Sequence, residues 1–297
     1  AYREFGLVLP QAFSTSSALA DPTVLDSLQS FPGPLTARTP VEEVLNFCQT
    51  QAAALSQAGS PNLALLWGLL GLLCKCDGVL DGSSADESAA ELLQLLDSRS
   101  LNGGVDDSCP SPLVTTPSSP EVQRQAASRL EMLLLNGQRE AACEHAMACG
   151  MWADALLLSS HMDADTWRKV MTRFSSEQLA AGSPLRTLYS LFAGSGVDAL
   201  KETAGDPGVA EQTATQWREN LAMMLANPTA GDTEVIALLG DEIRPTHGVA
   251  AAHCCFLLAE LQPDEHVEAA EARMHLLGLD HRDGATPLTV LAIQATE

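Results

Sequence analysis

The chain has 297 residues, 46% of them hydrophobic but only 4% aromatic, and sets 16 Lys plus Arg against 38 Asp plus Glu for a formal charge of −22. A field of that sign repels phosphate backbones and the anionic cytoplasmic leaflet, which argues against nucleic-acid or lipid-headgroup binding and suits an interaction protein kept soluble by its charge. A core so poor in aromatic and β-branched residues must be built from Leu and Ala, both good helix formers, so the composition points to an all-α fold.

The first residues differ from the rest. Phe5-Gly6-Leu7-Val8-Leu9, stopped by Pro10, is the best strand candidate in the chain. A short helix is expected over Asp21–Ser30, and Phe31-Pro32-Gly33-Pro34-Leu35 must be a bend. Residues 1–35 thus read as an extended N-terminal segment ahead of a helical domain spanning 36–297.

After Pro40 the apolar period becomes helical. Val41, Val44, Leu45, Cys48, Ala52 and Leu55 share one face, with Thr39 as the expected cap and Pro40 at the first helical position. Leu63 to Cys74 carries no charge but falls short of the roughly 20 residues a bilayer requires, so it reads as a helix buried on all sides. Gly68 and Gly71 lie on that helix three residues apart. They either admit a close neighbouring backbone or are simply tolerated inside a crowded core. Asp86–Ser98 makes a third helix.

Asn102–Pro120 is rich in Pro, Ser and Gly and is expected to be exposed and partly disordered, because it buries too little apolar surface to offset its ordering entropy. A second flexible gap is expected over 194–208. Further helices are expected at Glu121–Asn136, Gln138–Cys149, Trp152–His161, Ala164–Phe174, Pro184–Phe192, Glu211–Ala226, Asp232–Ile243, Gly248–Leu261, Asp264–Leu277 and Thr286–Ala295. Short helices without a strict repeat point to an irregular, folded-back α-solenoid rather than a tetratricopeptide or ankyrin array.

The search for chemistry returns little. There is no Gly-Lys pair for a P-loop, no G-x-G-x-x-G, no G-x-S-x-G and no H-E-x-x-H. Cys74-x-Cys76 and His253-Cys254-Cys255 lack the spacing of structural zinc pairs and read as buried structural thiols. Asp77 to Gly82 imitates a calcium loop, but position 3 is Val79 and position 12 is Ser88, so a turn is the better reading. In His161-Met162-Asp163-Ala164-Asp165, Asp163 is placed to cap the next helix, with Asp165 in its first turn. No catalytic, cofactor-binding or metal-ligating residue is assigned. The eight scattered Cys and the absence of a charged-then-apolar leader at Ala1 lead to the expectation of a cytosolic compartment, and the missing initiator Met to that of a fragment.

A resemblance emerges in ordered blocks. Leu133-Leu134-Leu135-Asn136-Gly137-Gln138-Arg139-Glu140-Ala141 and Met151-Trp152-Ala153-Asp154-Ala155-Leu156-Leu157-Leu158-Ser159-Ser160 are similar to signature stretches of the Sec-sixteen family. Val170–Phe174, Pro184–Tyr189, Phe31–Leu35, Leu65–Trp67 with Leu72–Cys74, Trp217–Met223 and Ala251–Cys254 extend the likeness over most of Phe31 to Leu261, beyond which it fades. The resemblance implies an ancestral coatomer element and a scaffold of COPII coat assembly on the cytosolic face of the endoplasmic reticulum, at exit sites. It implies binding of a Sec-thirteen-like β-propeller through an N-terminal blade, contacts with other COPII coat components, and a homodimer. Membrane association is then expected only through partners or other parts of the full-length protein. Upstream of Phe31 the sequence offers one strand where a full blade needs several, so Phe5, Leu7, Val8 and Leu9 are the candidate propeller contacts. Trp67, Gly68, Gly71, Trp152 and Leu156 are the candidates for helix packing or self-association. Two other readings stand beside this one: another helical coat or nuclear-pore scaffold, such as a Sec-thirty-one-like element, and an unrecognised helical hydrolase.

Overall fold

The structure is a computed structural model that describes residues 30–36, 38–76, 78, 87–97, 119–263, 272–282 and 289–297. The strand expected at Phe5–Leu9 lies outside the described residues, as do all but the last residue of the Asp21–Ser30 helix and all but Ser119 and Pro120 of the Asn102–Pro120 loop. Among the described residues every extended regular element is a helix, as expected of an all-α chain. In chain order these are α1 (Val41–Gln57), α2 (Pro61–Lys75), α3 (Glu87–Leu96), α4 (Pro120–Leu135), α5 (Arg139–Ala148), α6 (Trp152–Ser160) and α7 (Ala164–Gln178). There follow α8 (Pro184–Phe192), α9 (Gly196–Ala204), α10 (Pro207–Thr215), α11 (Trp217–Ala226), α12 (Asp232–Leu258) and α13 (Val290–Thr296). The chain divides into two compact units, residues 1–97 with 236–297 and residues 98–235.

In the first unit α1 and α2 form a hairpin turned at Gly59 (φ 77°), with Pro61 at the start of α2. Pro40, not Thr39, occupies the cap position of α1; its ring holds φ at −62°, while the Thr39 hydroxyl accepts from the Thr36 N–H instead. Trp67 is buried and meets Phe47 edge-on at 5.6 Å between ring centroids, and Phe47 in turn meets Phe31 at 5.2 Å. Gly71 lets the hairpin close, since a Cβ there would stand 3.2 Å from Cys48 Cβ. Burial, and secondarily Cys74, pushes the Cys48 thiol up to about 12.

The helix α12 is bent at Gly248 (φ 80°, ψ 175°), three residues after Pro245. Its two arms pack on each other: a Cβ on Gly240 would come within 2.6 Å of Phe256 Cε1 and 3.0 Å of Cys255 Cβ. The return arm, Ala250 to Phe256, is buried on every side. Part of the helix expected over Asp264–Leu277 is overturned: residues 264–271 lie outside the described residues, and 272–277 run through bends and turns. Tertiary contacts override the local periodicity there. Arg273 donates to Asp241, Arg244 donates to Asp280 and to the Arg273 carbonyl, and the Leu277 N–H reaches the Thr296 hydroxyl of α13.

The second unit stacks α4 to α11 as successive short helices with positive-φ glycines at the turns after α4, α5 and α8, Gly137, Gly150 and Gly194. Its core joins Leu130 and Leu133 to Cys143, Met147, Trp152 and Val170 through Ala142, Ala146 and Ala155, all three fully buried. Alanine at such seams lets helix axes approach to the lower end of the usual 8–10 Å. Chain direction is fixed by caps: Ser119 accepts from the Val122 N–H, Asp163 from Thr166, Ser183 from Arg186 and Asp206 from Gly208. The gap expected over 194–208 is instead largely helical. Pro207 sits at the first position of α10, where its missing N–H costs nothing, and Gly196 opens α9 against Leu191, a Cβ there falling 2.8 Å from Leu191 Cδ2. The helix expected over Glu211–Ala226 is two, divided at Gln216.

Candidate functional site

A row of rings crosses three helices of the second unit. Trp152 on α6 meets Phe174 on α7 edge-on at 5.7 Å, Phe174 stacks on Tyr189 of α8 at 6.1 Å, and Tyr189 stacks on Phe192 at 6.2 Å. The inner end is buried, with Trp152 8% exposed, while Phe192 at the end of α8 is 42% exposed. Behind this row the buried Asn220 of α11 ties α8 in place. It donates to the Gly182 and Gln216 carbonyls and accepts from the Thr187 hydroxyl at 2.7 Å.

Where the α4–α5 and α6–α7 turns meet, a groove of about 590 Å³ is lined by Gly137–Ala141 and His161–Asp163. Asp163 is committed to its cap: the Thr166 hydroxyl and N–H both donate to it and hold its carboxyl below the usual carboxylate range. That role is the one its position before α7 led to, and it leaves the carboxylate charged rather than poised to take a proton.

In the first unit the bends of 272–282 are clasped by α12. The Gly278 N–H donates to His253 Nδ1 at 3.0 Å, and a Cβ on Gly278 (φ 77°) would touch Leu63 Cδ2 at 3.3 Å. His253 is fully buried, and burial, with Arg244 and His281 adding to it, drives its imidazole down to about 3. The ring is therefore neutral, with the proton on Nε2, which has no hydrogen-bond partner among the described residues. Burial alone would raise the Asp280 carboxyl, but the Arg282 N–H and the Arg244 guanidinium hold it below its ordinary value.

The residues singled out from sequence fall as follows. Trp67 and Gly71 are buried between α1 and α2, and a Cβ on Gly68 would stand 3.2 Å from Leu95 Cδ2 of α3. Trp152 and Leu156 belong to the core of the second unit. Trp67, Gly68 and Gly71 thus belong to the first unit and Trp152 and Leu156 to the second, and Phe5, Leu7, Val8 and Leu9 lie outside the described residues. Cys254 and Cys255 are buried, Cys74 is exposed, and among the described residues no group of three or more His, Cys, Asp or Glu could hold a metal ion. No helix among the described residues is long and apolar enough to cross a membrane. Sequence reasoning missed the aromatic row and the His253–Gly278 clasp, since both join residues from separate helices.

Comparison with known proteins now adds what geometry does not. Protein transport protein Sec16B of Oryctolagus cuniculus is 34% identical over 97% of this chain, and that of Homo sapiens 33% identical over 97%; in both the chain spans 29% of the relative. The COPII coat assembly protein SEC16 of Phaeosphaeria nodorum is 29% identical over 89% of the chain, which spans 17% of it. The chain therefore covers about a third or less of these relatives' length. A chain of the solved Sec13/Sec16 complex of S. cerevisiae shares the fold, with a TM-score of 0.61 at 19% identity over 94% of this chain and 73% of that one. Residues 130–297 match the family described as the Sec16 Sec23-binding domain, and the chain thus belongs to the Sec16 family.

Proposed function

We propose that this chain is a non-enzymatic scaffold that organises COPII coat assembly at endoplasmic-reticulum exit sites, binding a Sec13-like β-propeller and associating with itself. The observation that carries this reading is the fold shared with a chain of the Sec13/Sec16 complex over 94% of its length. The Sec16 Sec23-binding description matched by residues 130–297 supports contact with other COPII coat components. In this reading Phe5, Leu7, Val8 and Leu9 add a strand to an open propeller edge, with backbone hydrogen bonds supplying affinity and alternate side chains specificity. Trp67, Gly68, Gly71, Trp152 and Leu156 act within the chain, setting the helix spacing that presents the outer surfaces. The protein works on the cytosolic face of the membrane and reaches it through partners or other parts of the full-length protein.

Light scattering of the purified chain, alone and with a Sec13-like propeller, tests the proposal. A dimer, or a stoichiometric complex weakened about tenfold or more by Val8→Pro through loss of a ladder N–H, is expected. A strict monomer that ignores the propeller would overturn it.

A further inference from the structure

The outer end of the aromatic row has no role in the reading above, and it lies in an unusual electrostatic setting. Over Ala164–Ala193 the chain carries Arg168, Lys169, Arg173 and Arg186 against only Asp165 and Glu177, a small positive excess within a chain of net charge −22. Arg168 and Arg186 flank the exposed Phe192 and the half-buried Tyr189. Arg168 Nε would lie 3.8 Å from a Cβ placed on Gly194, two residues past Phe192. Arg186 stands on α8 three residues before Tyr189, on the same side of the helix, and makes no ion pair among the described residues. Arg168 and Arg173 pair with Asp165 and Glu177 of their own helix, in exposed i,i+3 and i,i+4 pairs, and Lys169 pairs with Glu144 of α5. Such pairs contribute about 0–1 kcal/mol and give way readily to a better carboxylate.

We propose that the α7–α8 face is a docking site for an acidic, extended peptide segment of a protein partner. In that complex a proline or aromatic ring of the segment stacks on Tyr189 and Phe192, and carboxylates on either side pair with Arg168 and Arg186. Charge complementarity selects this occupant. The chain as a whole is strongly acidic, but screening over about 8 Å at physiological salt confines each field to its own patch, so the net charge does not cancel the attraction of these cations for an acidic segment. A nucleic acid is a poor match, because so few cations fall short of the roughly 6–10 phosphate contacts that sustain such binding. Rigid aromatic anchors beside Arg are also the side chains in which binding energy concentrates at protein interfaces.

The test is fluorescence anisotropy with a labelled synthetic peptide bearing Pro-Trp between runs of Glu and Asp, and a control in which every acid is Lys. The unaltered chain, Phe192→Ala and Arg186→Glu are compared at low and physiological salt. Both variants alter surface-facing side chains, and circular dichroism melts establish that they fold. The acidic peptide is expected to bind, more weakly as salt rises. Each substitution is expected to weaken it about tenfold or more, while propeller binding is unchanged. Binding of the Lys peptide as tight as that of the acidic one, equal binding by the unaltered and variant chains, or no binding of the acidic peptide would overturn the proposal. So would capture of vesicles containing phosphatidylserine that depends on Arg168 and Arg186.

Discussion

Replacing His253 by Asn isolates the clasp between α12 and residues 272–282. The Asn side-chain oxygen stands near the position of Nδ1 and still accepts the Gly278 N–H, but it does not titrate. In the native protein the imidazole falls to about 3 from an ordinary 6.5. The unfolded chain therefore takes up a proton at this residue between those values and the folded chain does not. Stability from the neutral ring is complete above pH 6.5 and is lost as pH falls toward about 3. Between pH 7.5 and pH 5 protonation of the ring in the unfolded state shifts the folding equilibrium by about 1.5 powers of ten, a loss of about 2 kcal/mol at 1.36 kcal/mol per power of ten. The charged groups acting on the ring, Arg244, Asp280 and His281, are common to both proteins, so the comparison isolates the residue at position 253. The Asn variant is expected to be less stable at pH 7.5 by about 1–3 kcal/mol for lost ring volume, yet to lose about 2 kcal/mol less on acidification. Exchange protection of the Gly278 amide, corrected for intrinsic rate, and urea unfolding at the two pH values read both terms. Equal losses in the two proteins would refute the neutral, buried imidazole.

Three further outcomes are expected. Gly240→Ala, although favourable by about 1 kcal/mol in helix propensity, drives a methyl into Phe256 and Cys255 and is expected to lower stability by a net 1–3 kcal/mol in urea, or about that order. Asn220→Ala removes the donor to the Gly182 carbonyl and the shorter acceptor of the Thr187 hydroxyl and is expected to cost about 1–3 kcal/mol, measured as a lower thermal midpoint; a change under about 0.5 kcal/mol would show that the network carries no weight. Timed alkylation at pH 8 followed by mass spectrometry is expected to label Cys76 well before Cys48, whose thiol lies up near 12, and before the buried Cys255; equal rates would contradict the closed α1–α2 hairpin.

The bounds of α8 are legible because Ser183-Pro184 and Ala193-Gly194 punctuate both ends with residues whose backbone chemistry is local. The same punctuation misleads over 194–208. Gly, Ser and Pro there sit at helix starts and turns, the positions that tolerate them, and read as a loop when their register against Leu191 and Val235 is hidden. The bends of 272–282 invert the error: an apolar pattern fit for a helix is held open by Arg244, Asp241 and His253, residues 25 to 36 positions away. Trp152, Phe174 and Tyr189 each fall within a family-like block, but their assembly into one row depends on the packing of three helices, which no local pattern encodes.

The split make-up of the first unit has a consequence for how the chain folds during synthesis. The apolar α2 relies on residues that come much later: Asn62 donates to the His247 carbonyl, and Leu63 lies against Gly278. Asn62 and His247 are 185 positions apart, so at about 5–20 residues per second the side of α2 that α1 does not cover waits about 10–40 s for that partner. The other compact unit, by contrast, is one continuous stretch of chain and is complete once residue 235 is made. Only when residues 247–278 follow can that side of α2 close.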